Sequence, residues 1–214
     1  MIDNLDEIID RVSARLKHKN EIRDITLRRS RELIRFCANS IRATHRHEYD
    51  LAKDLLSEAS QAAVTMSDDA NEYADVYYAG YTQDALKELA EAACTLRLVA
   101  EGRIADPDEL NVPYPAFLNG LGEAIGEMRR FALDCIRRDD TTEAERILGI
   151  MDDVYGQLVT IDFPDSMTRG LRRTTDMVRG VTERTRGDLT TAMRQEKLQE
   201  ALRAFESRLD AREE

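Results

Sequence analysis

The sequence has no tryptophan, only four prolines and only ten glycines in 214 residues. Proline and glycine are the residues that most readily end a helix. The prolines fall in two places, Pro107–Pro115 and Pro164, so long stretches carry nothing that forbids a continuous helix. No run approaches the roughly 18 apolar residues that a bilayer span requires, and no membrane association is expected. Cysteine is scarce: Cys37, Cys94 and Cys135 are widely spaced and odd in number. That excludes a disulfide framework or a paired-cysteine metal knuckle and reads as buried thiols in a reducing cytoplasm. The first seven residues, Met1 to Glu7, are acidic where an export signal is basic and then apolar, so a cytoplasmic location is expected. Aromatic residues make up 6% of the chain, which does not suggest base stacking of the single-strand-binding type.

What is present is charge and helical periodicity. Apolar residues are 42% and charged residues 34% of the chain, a balance that buries a core and suits one domain over 1–214. Alternating strand patterns are missing, and the β-branched residues recur at helical spacing. The fold class expected is all-α, a bundle of about six to seven helices, several of them long.

A first helix is expected from about Asp3 to His45–His47, where Leu27, Ile34 and Ile41 recur every seven residues beside Leu33 and Cys37. A second covers about Glu48 to Met66 and buries Leu51, Leu55, Ala59 and Ala62/Ala63. Ser67-Asp68-Asp69 offers a cap for a third, reaching Val99–Glu101. Residues 102–115 form the clearest loop. A fourth helix follows over about Ala116 to Arg137. Thr141/Thr142 cap a fifth through about Ile161, and Pro164 opens a last helix towards Arg212. Helices of this length in a chain this small cannot all cover one another, so an oligomer is expected.

Two places put acids where small or apolar neighbours suggest an inward face. Asp84, Glu88 and Glu91 stand at i, i+4 and i+7 along the third helix. Glu123 and Glu127 are one turn apart on the fourth, among Gly120, Gly122 and Gly126. A glycine inside a helix costs about 1 kcal/mol relative to alanine, so three within seven residues suggest close approach of another backbone. Converging carboxylates repel one another unless a cation neutralises them. Oxygen ligands without His or Cys suit Mg²⁺ or Mn²⁺, the ions of phosphodiester chemistry. A di-iron bundle is the rival, but it needs Glu-x-x-His pairs, which His18, His45 and His47 do not supply.

The net charge of −11 repels phosphate at long range, yet the basic residues are not evenly spread. Arg28, Arg31, Arg35, Arg42 and Arg46 lie close to one stripe of the first helix, with His45 at its end. Others recur late in the chain, as Arg172-Arg173, Arg179, Arg184 and Arg186. The planar guanidinium grips phosphate at two points. The bland alternative is a solvated helix laced by acid partners such as Glu32 and Glu48.

Four segments carry a family resemblance. Arg31-Glu-Leu-Ile-Arg with Ser40-Ile-Arg-Ala-Thr-His45-Arg46 resembles the first-helix signature of the translin family, and residues 112–130, Val-Pro-Tyr-Pro-Ala-Phe-Leu-Asn-Gly-Leu-Gly-Glu-Ala-Ile-Gly-Glu-Met-Arg-Arg, resemble its central helix. Asp152-Asp-Val-Tyr155 and Thr182-Glu-Arg-Thr-Arg186 resemble its fifth and last helices. The resemblance implies a seven-helix protein that assembles into a hollow octameric shell enclosing RNA. It is nearer to the translin-associated factor X branch, whose acids make a Mg²⁺-dependent endoribonuclease site. It assigns catalytic and metal-binding roles to Glu88, Glu91, Glu123 (where the family has Asp) and Glu127, with Mg²⁺ or Mn²⁺ as cofactor. It assigns RNA contacts to Arg28, Arg31, Arg35, Arg42, His45 and Arg46. The implied function is a metal-dependent endoribonuclease in a homo-octamer. The alternative is a non-catalytic shell that holds single-stranded RNA or DNA.

Overall fold

The computed structural model describes residues 4–213, so the expected helix start at Asp3 lies outside the described residues. Among the described residues there are nine helices and no strand: α1 (Leu5–His45), α2 (Tyr49–Ala70), α3 (Ala74–Tyr77), α4 (Gly80–Ala100), α5 (Pro107–Leu110), α6 (Tyr114–Ile136), α7 (Thr141–Leu158), α8 (Asp165–Thr168) and α9 (Leu171–Glu213). Three of them, α3, α5 and α8, are single turns of four residues, so six helices of substance remain, as the sequence suggests. No helix among the described residues is long and apolar enough to cross a membrane.

Contacts divide the chain into two compact units, and the division falls inside the unbroken helix α6. The first unit holds everything up to Leu121 together with Met167–Arg169, and the second holds Gly122–Ser166 and Gly170 onward.

In the first unit α1 packs along α2 and α4, and α2 packs on α4. Acids in the first turn of α1 (Asp6, Glu7) and bases in its last (Arg42, His45) suit the helix dipole. The buried edge of α1 is Thr26, Ser30, Leu33, Cys37, Ser40, Ile41 and Thr44, an alternating three–four spacing set one residue aside from the Leu27–Ile34–Ile41 heptad. Leu27 and Ile34 flank it, half-buried. Small residues at this seam let the backbones approach. The facing edge of α2 is Ala52, Ala59, Ala63, Met66 and Ala70, and Ser40 Oγ donates to the Ala52 carbonyl at 2.8 Å. Leu51 is 45% exposed, contrary to the sequence reading, because Ala52 takes the inward position of that turn.

Ser67-Asp68-Asp69 does not cap a new helix; all three residues lie within α2. Ser67 is buried and its carbonyl accepts the Asn71 amide at 2.9 Å, while Asp69 Oδ2 pairs with Arg29 Nε at 2.9 Å. The chain turns later, through α3, and α4 starts behind extended Ala79. Thr82 and Gln83 of α4 reach back to the carbonyls of Val76 and Tyr77, each at 2.9 Å.

In the second unit α7 packs against α9. Asp140, not Thr141 or Thr142, caps α7, accepting the Glu143 amide at 3.0 Å. Thr141 instead donates to Glu196 at 3.0 Å. The helix ends at Leu158, short of Ile161. Pro164 opens only α8; Arg169 and Gly170 then take φ of 50° and 90°, a left-handed pair that interrupts any helix. The long last helix begins at Leu171. Its anchors include Arg186 to Asp152 at 2.5 Å and Arg129 to Asp188 at 2.8 Å.

Candidate functional site

Within the first unit, α4 presents Glu88 and Glu91 half-buried on one edge, flanked by fully buried Leu89 and Ala90. Asp84, one turn earlier, is exposed and does not join them. Across the seam from α4 lies Cys37 of α1. Burial chiefly, and then the negative charges of Glu88 and Glu91, push its thiol far above the ordinary range. The two carboxylates therefore face the α1 side of the bundle rather than bulk solvent. Cys37 was legible in the sequence only as a core residue; its place beside both acids depends on how α1 and α4 pair.

The glycines explain what lies on the other side of that turn. A Cβ on Gly120 would stand 2.5 Å from the Lys87 carbonyl oxygen, 2.8 Å from the Ala90 Cβ and 3.0 Å from the Glu91 amide nitrogen. The first turns of α6 thus lie directly on the turn of α4 that carries Glu88 and Glu91. Asn119 fastens them, donating from Nδ2 to the carbonyls of Pro115 (2.8 Å) and Thr168 (2.9 Å). The close approach expected from the glycines holds at Gly120. At Gly122 the crowding comes from a side chain, the Thr174 methyl, and not from backbone. It fails at Gly126, which is exposed and would meet nothing within 4 Å.

In the second unit Glu123 and Glu127 are both half-buried on successive turns of α6. Glu127 Oε2 lies 3.9 Å from Arg130 Nη1. A half-buried carboxylate retains a free-energy cost that a cation can relieve, and all four acids are hard oxygen donors of the kind Mg²⁺ and Mn²⁺ take.

The arginines of α1 stand elsewhere. Arg28, Arg31, Arg35, Arg42 and Arg46 are all exposed, on the side of the helix opposite its buried edge, and His45 is half-buried in the last turn. Local partners occupy some of them: Arg35 lies 3.7 Å from Glu32, Arg46 lies 2.7 Å from Glu48, and Arg42 donates to Asn39 at 2.5 Å. Among the described residues no carboxylate lies within 4.0 Å of Arg28 or Arg31. Later arginines are more fully compensated. Arg179 pairs with Asp176, and Arg186 with both Asp152 and Glu183.

No family model matches the chain, but individual proteins do. It is 32% identical over 190 residues to an uncharacterized protein of Methanocaldococcus jannaschii, covering 88% of this chain and 84% of that protein. Among solved structures it superposes on AfC3PO, a translin-type protein, with a TM-score of 0.80 at 31% identity, over 86% of this chain and 96% of that one. The chain belongs to the translin family. AfC3PO in a complex with duplex RNA superposes equally well, at a TM-score of 0.79 and 31% identity over the same shares of the two chains. Apo-NeC3PO shares the translin fold at a TM-score of 0.79 and 21% identity, over 90% of this chain and 98% of that chain.

Proposed function

We propose that this translin-family chain is a metal-dependent endoribonuclease in a hollow homo-octamer, with Glu88, Glu91, Glu123 and Glu127 holding Mg²⁺ or Mn²⁺. One observation carries the reading. Glu88 and Glu91 stand half-buried on one edge of α4, near enough to the buried Cys37 thiol that their negative charges push it further up. Glu123 and Glu127 are likewise half-buried, on successive turns of α6. Such paired hard oxygens suit a small divalent cation and leave positions for water and phosphate. The bound ion would supply Lewis acidity and an activated water.

The chain's own residues would do the rest. The carboxylates hold the ion, and their partial burial keeps competing solvent away from it. Arg28, Arg31, Arg35, Arg42, His45 and Arg46 would contact the RNA backbone, the arginines through two-point phosphate contacts. The RNA duplex bound by AfC3PO supports RNA as the substrate class. Exposed apolar stripes at the start of α1 (Leu5, Ile9, Val12, Leu16) and the end of α9 (Leu198, Leu202, Phe205, Leu209) support assembly with further copies of the chain.

The test is incubation of end-labelled RNA with the protein in Mg²⁺, Mn²⁺ or chelator, beside Glu88→Gln and Glu123→Gln variants. Cleavage is expected only with a divalent cation, and its rate should fall at least 100-fold in either variant while RNA binding persists. Cleavage in chelator, or full activity in both variants, would overturn the assignment. RNA held but never cut would leave the non-catalytic shell.

A further inference from the structure

Four of the seven tyrosines fall within nine residues: Tyr73, Tyr77, Tyr78 and Tyr81. They run from the turn after α2 into the first turn of α4, inside the first unit. Tyr78 is 59% exposed, far more than an aromatic ring needs for packing. Two neighbours nonetheless lie against its ring. Tyr77 meets it edge-on, with centroids 4.9 Å apart and an interplanar angle of 88°. Arg169, in the same unit, places its guanidinium 5.8 Å from the ring centroid and donates from Nη2 to the Tyr78 carbonyl at 3.4 Å.

Arg169 does this from φ 50°, a backbone region that disfavours any residue with a Cβ. The same left-handed turn that ends α8 sets the direction of the Arg169 side chain and lays it against the exposed ring. Among the described residues no carboxylate lies within 4.0 Å of Arg169. Beside the turn after α2, His18 of α1 contacts Glu72 at 3.1 Å and the Lys19 ammonium pairs with Asp75. Burial pushes the Tyr77 and Tyr81 hydroxyls up, so these rings stay neutral at physiological pH.

We infer that Tyr78 and Arg169 form a stacking site for an unpaired base of single-stranded nucleic acid, a subsite of the RNA-binding reading above and dependent on it. The solvent-exposed part of the phenol takes the base, and the guanidinium takes the adjoining phosphate. This is the pairing of π-surface and cation that single-stranded substrates need. Low overall aromatic content hides it, because the tyrosines are concentrated in one segment.

The test measures binding of a fluorescein-labelled single-stranded RNA 12-mer, an abasic strand of equal length and an RNA duplex. The proteins are wild type, Tyr78→Ala, Tyr78→Phe and Arg169→Gly. Glycine accepts the left-handed φ, so Arg169→Gly removes the cation without strain. Tyr78→Ala should bind the 12-mer about tenfold more weakly, Tyr78→Phe should restore it, and the abasic strand and duplex should not distinguish Tyr78→Ala from wild type. Arg169→Gly should weaken the 12-mer and the abasic strand alike. With no tryptophan to obscure it, tyrosine emission should fall as wild type binds the 12-mer, and fall less in Tyr78→Ala.

Unaltered 12-mer binding by Tyr78→Ala overturns the site, as does an equal loss for the abasic strand. A changed sedimentation coefficient for a Tyr78→Ala protein that melts like wild type also overturns it, because the patch is then a protein contact. Wild type that binds none of the three at low salt removes the RNA reading itself, whereas wild type that binds them all while Tyr78→Ala matches it removes only this site.

Discussion

Gly120 and Gly126 stand six residues apart on one helix, and sequence alone treats them alike. Alanine at either gains about 1 kcal/mol of helix propensity. At Gly126 nothing lies within 4 Å of the new methyl, so Gly126→Ala should raise stability by about 0.5–1 kcal/mol in urea melts. At Gly120 the methyl would meet the Lys87 carbonyl oxygen at 2.5 Å, and backbone cannot swing aside as a side chain does. Gly120→Ala should therefore lower stability by about 1–3 kcal/mol despite the propensity gain. Because the displaced backbone is the turn bearing Glu88 and Glu91, the proposed metal site predicts that divalent-cation affinity falls with it. That Glu88, Glu91, Glu123 and Glu127 would be half-buried was legible from their helical spacing beside small and apolar residues. That Asp84 would drop out while Cys37 would face Glu88 and Glu91 was not, since both depend on the rotation of α4 against α1, which hydrophobic pattern fixes only to within about one residue.

At the scale of the helices, long elements were legible because few residues interrupt them, and their ends were not. On α1 the seam follows small polar residues, Thr26, Ser30, Ser40 and Thr44, which hydropathy ranks below Leu27 and Ile34. Close packing of two backbones selects size over apolarity. The hydroxyls are satisfied within the helix or across it, as when Thr26 Oγ1 donates to the Ile22 carbonyl at 2.9 Å. The break after α8 rests on a left-handed arginine, which no propensity scale favours. Caps were misread where two polar residues compete. At α7 the Asp140 carboxylate takes the Glu143 amide, so Asp140→Ala should cost about 1 kcal/mol of unfolding free energy. Thr142→Ala, at an exposed position with no such bond, should change it by less than about 0.5 kcal/mol. Equal losses in thermal melts would return the cap to the threonines.

For the molecule as a whole, two stripes of exposed apolar residues lie at the extremities of the longest helices. On α9, Leu198, Leu202, Phe205 and Leu209 recur at four, three and four residues and are each 46–60% exposed. Leu5, Ile9, Val12 and Leu16 repeat the pattern at the start of α1, 45–61% exposed. A coiled-coil seam has this spacing, and patches left open this way mark association sites. Assembly would also resolve an electrostatic conflict. A chain of net charge −11 repels RNA at a distance, whereas copies that turn their arginine stripes toward one enclosed space build a local positive field. The two properties should then fail together. Leu202→Glu with Phe205→Glu places charge in the seam without disturbing any buried side chain. If the stripes are the seam, sedimentation should show a smaller species than wild type while far-UV helicity persists. RNA affinity should drop in the same variant, and the slope of log affinity against log salt should become shallower as fewer phosphates are neutralised at once. An assembly that survives both substitutions would move the interface elsewhere. An assembly that falls apart yet keeps the full salt slope would mean that each chain grips RNA alone, with the arginine stripe acting from an open surface.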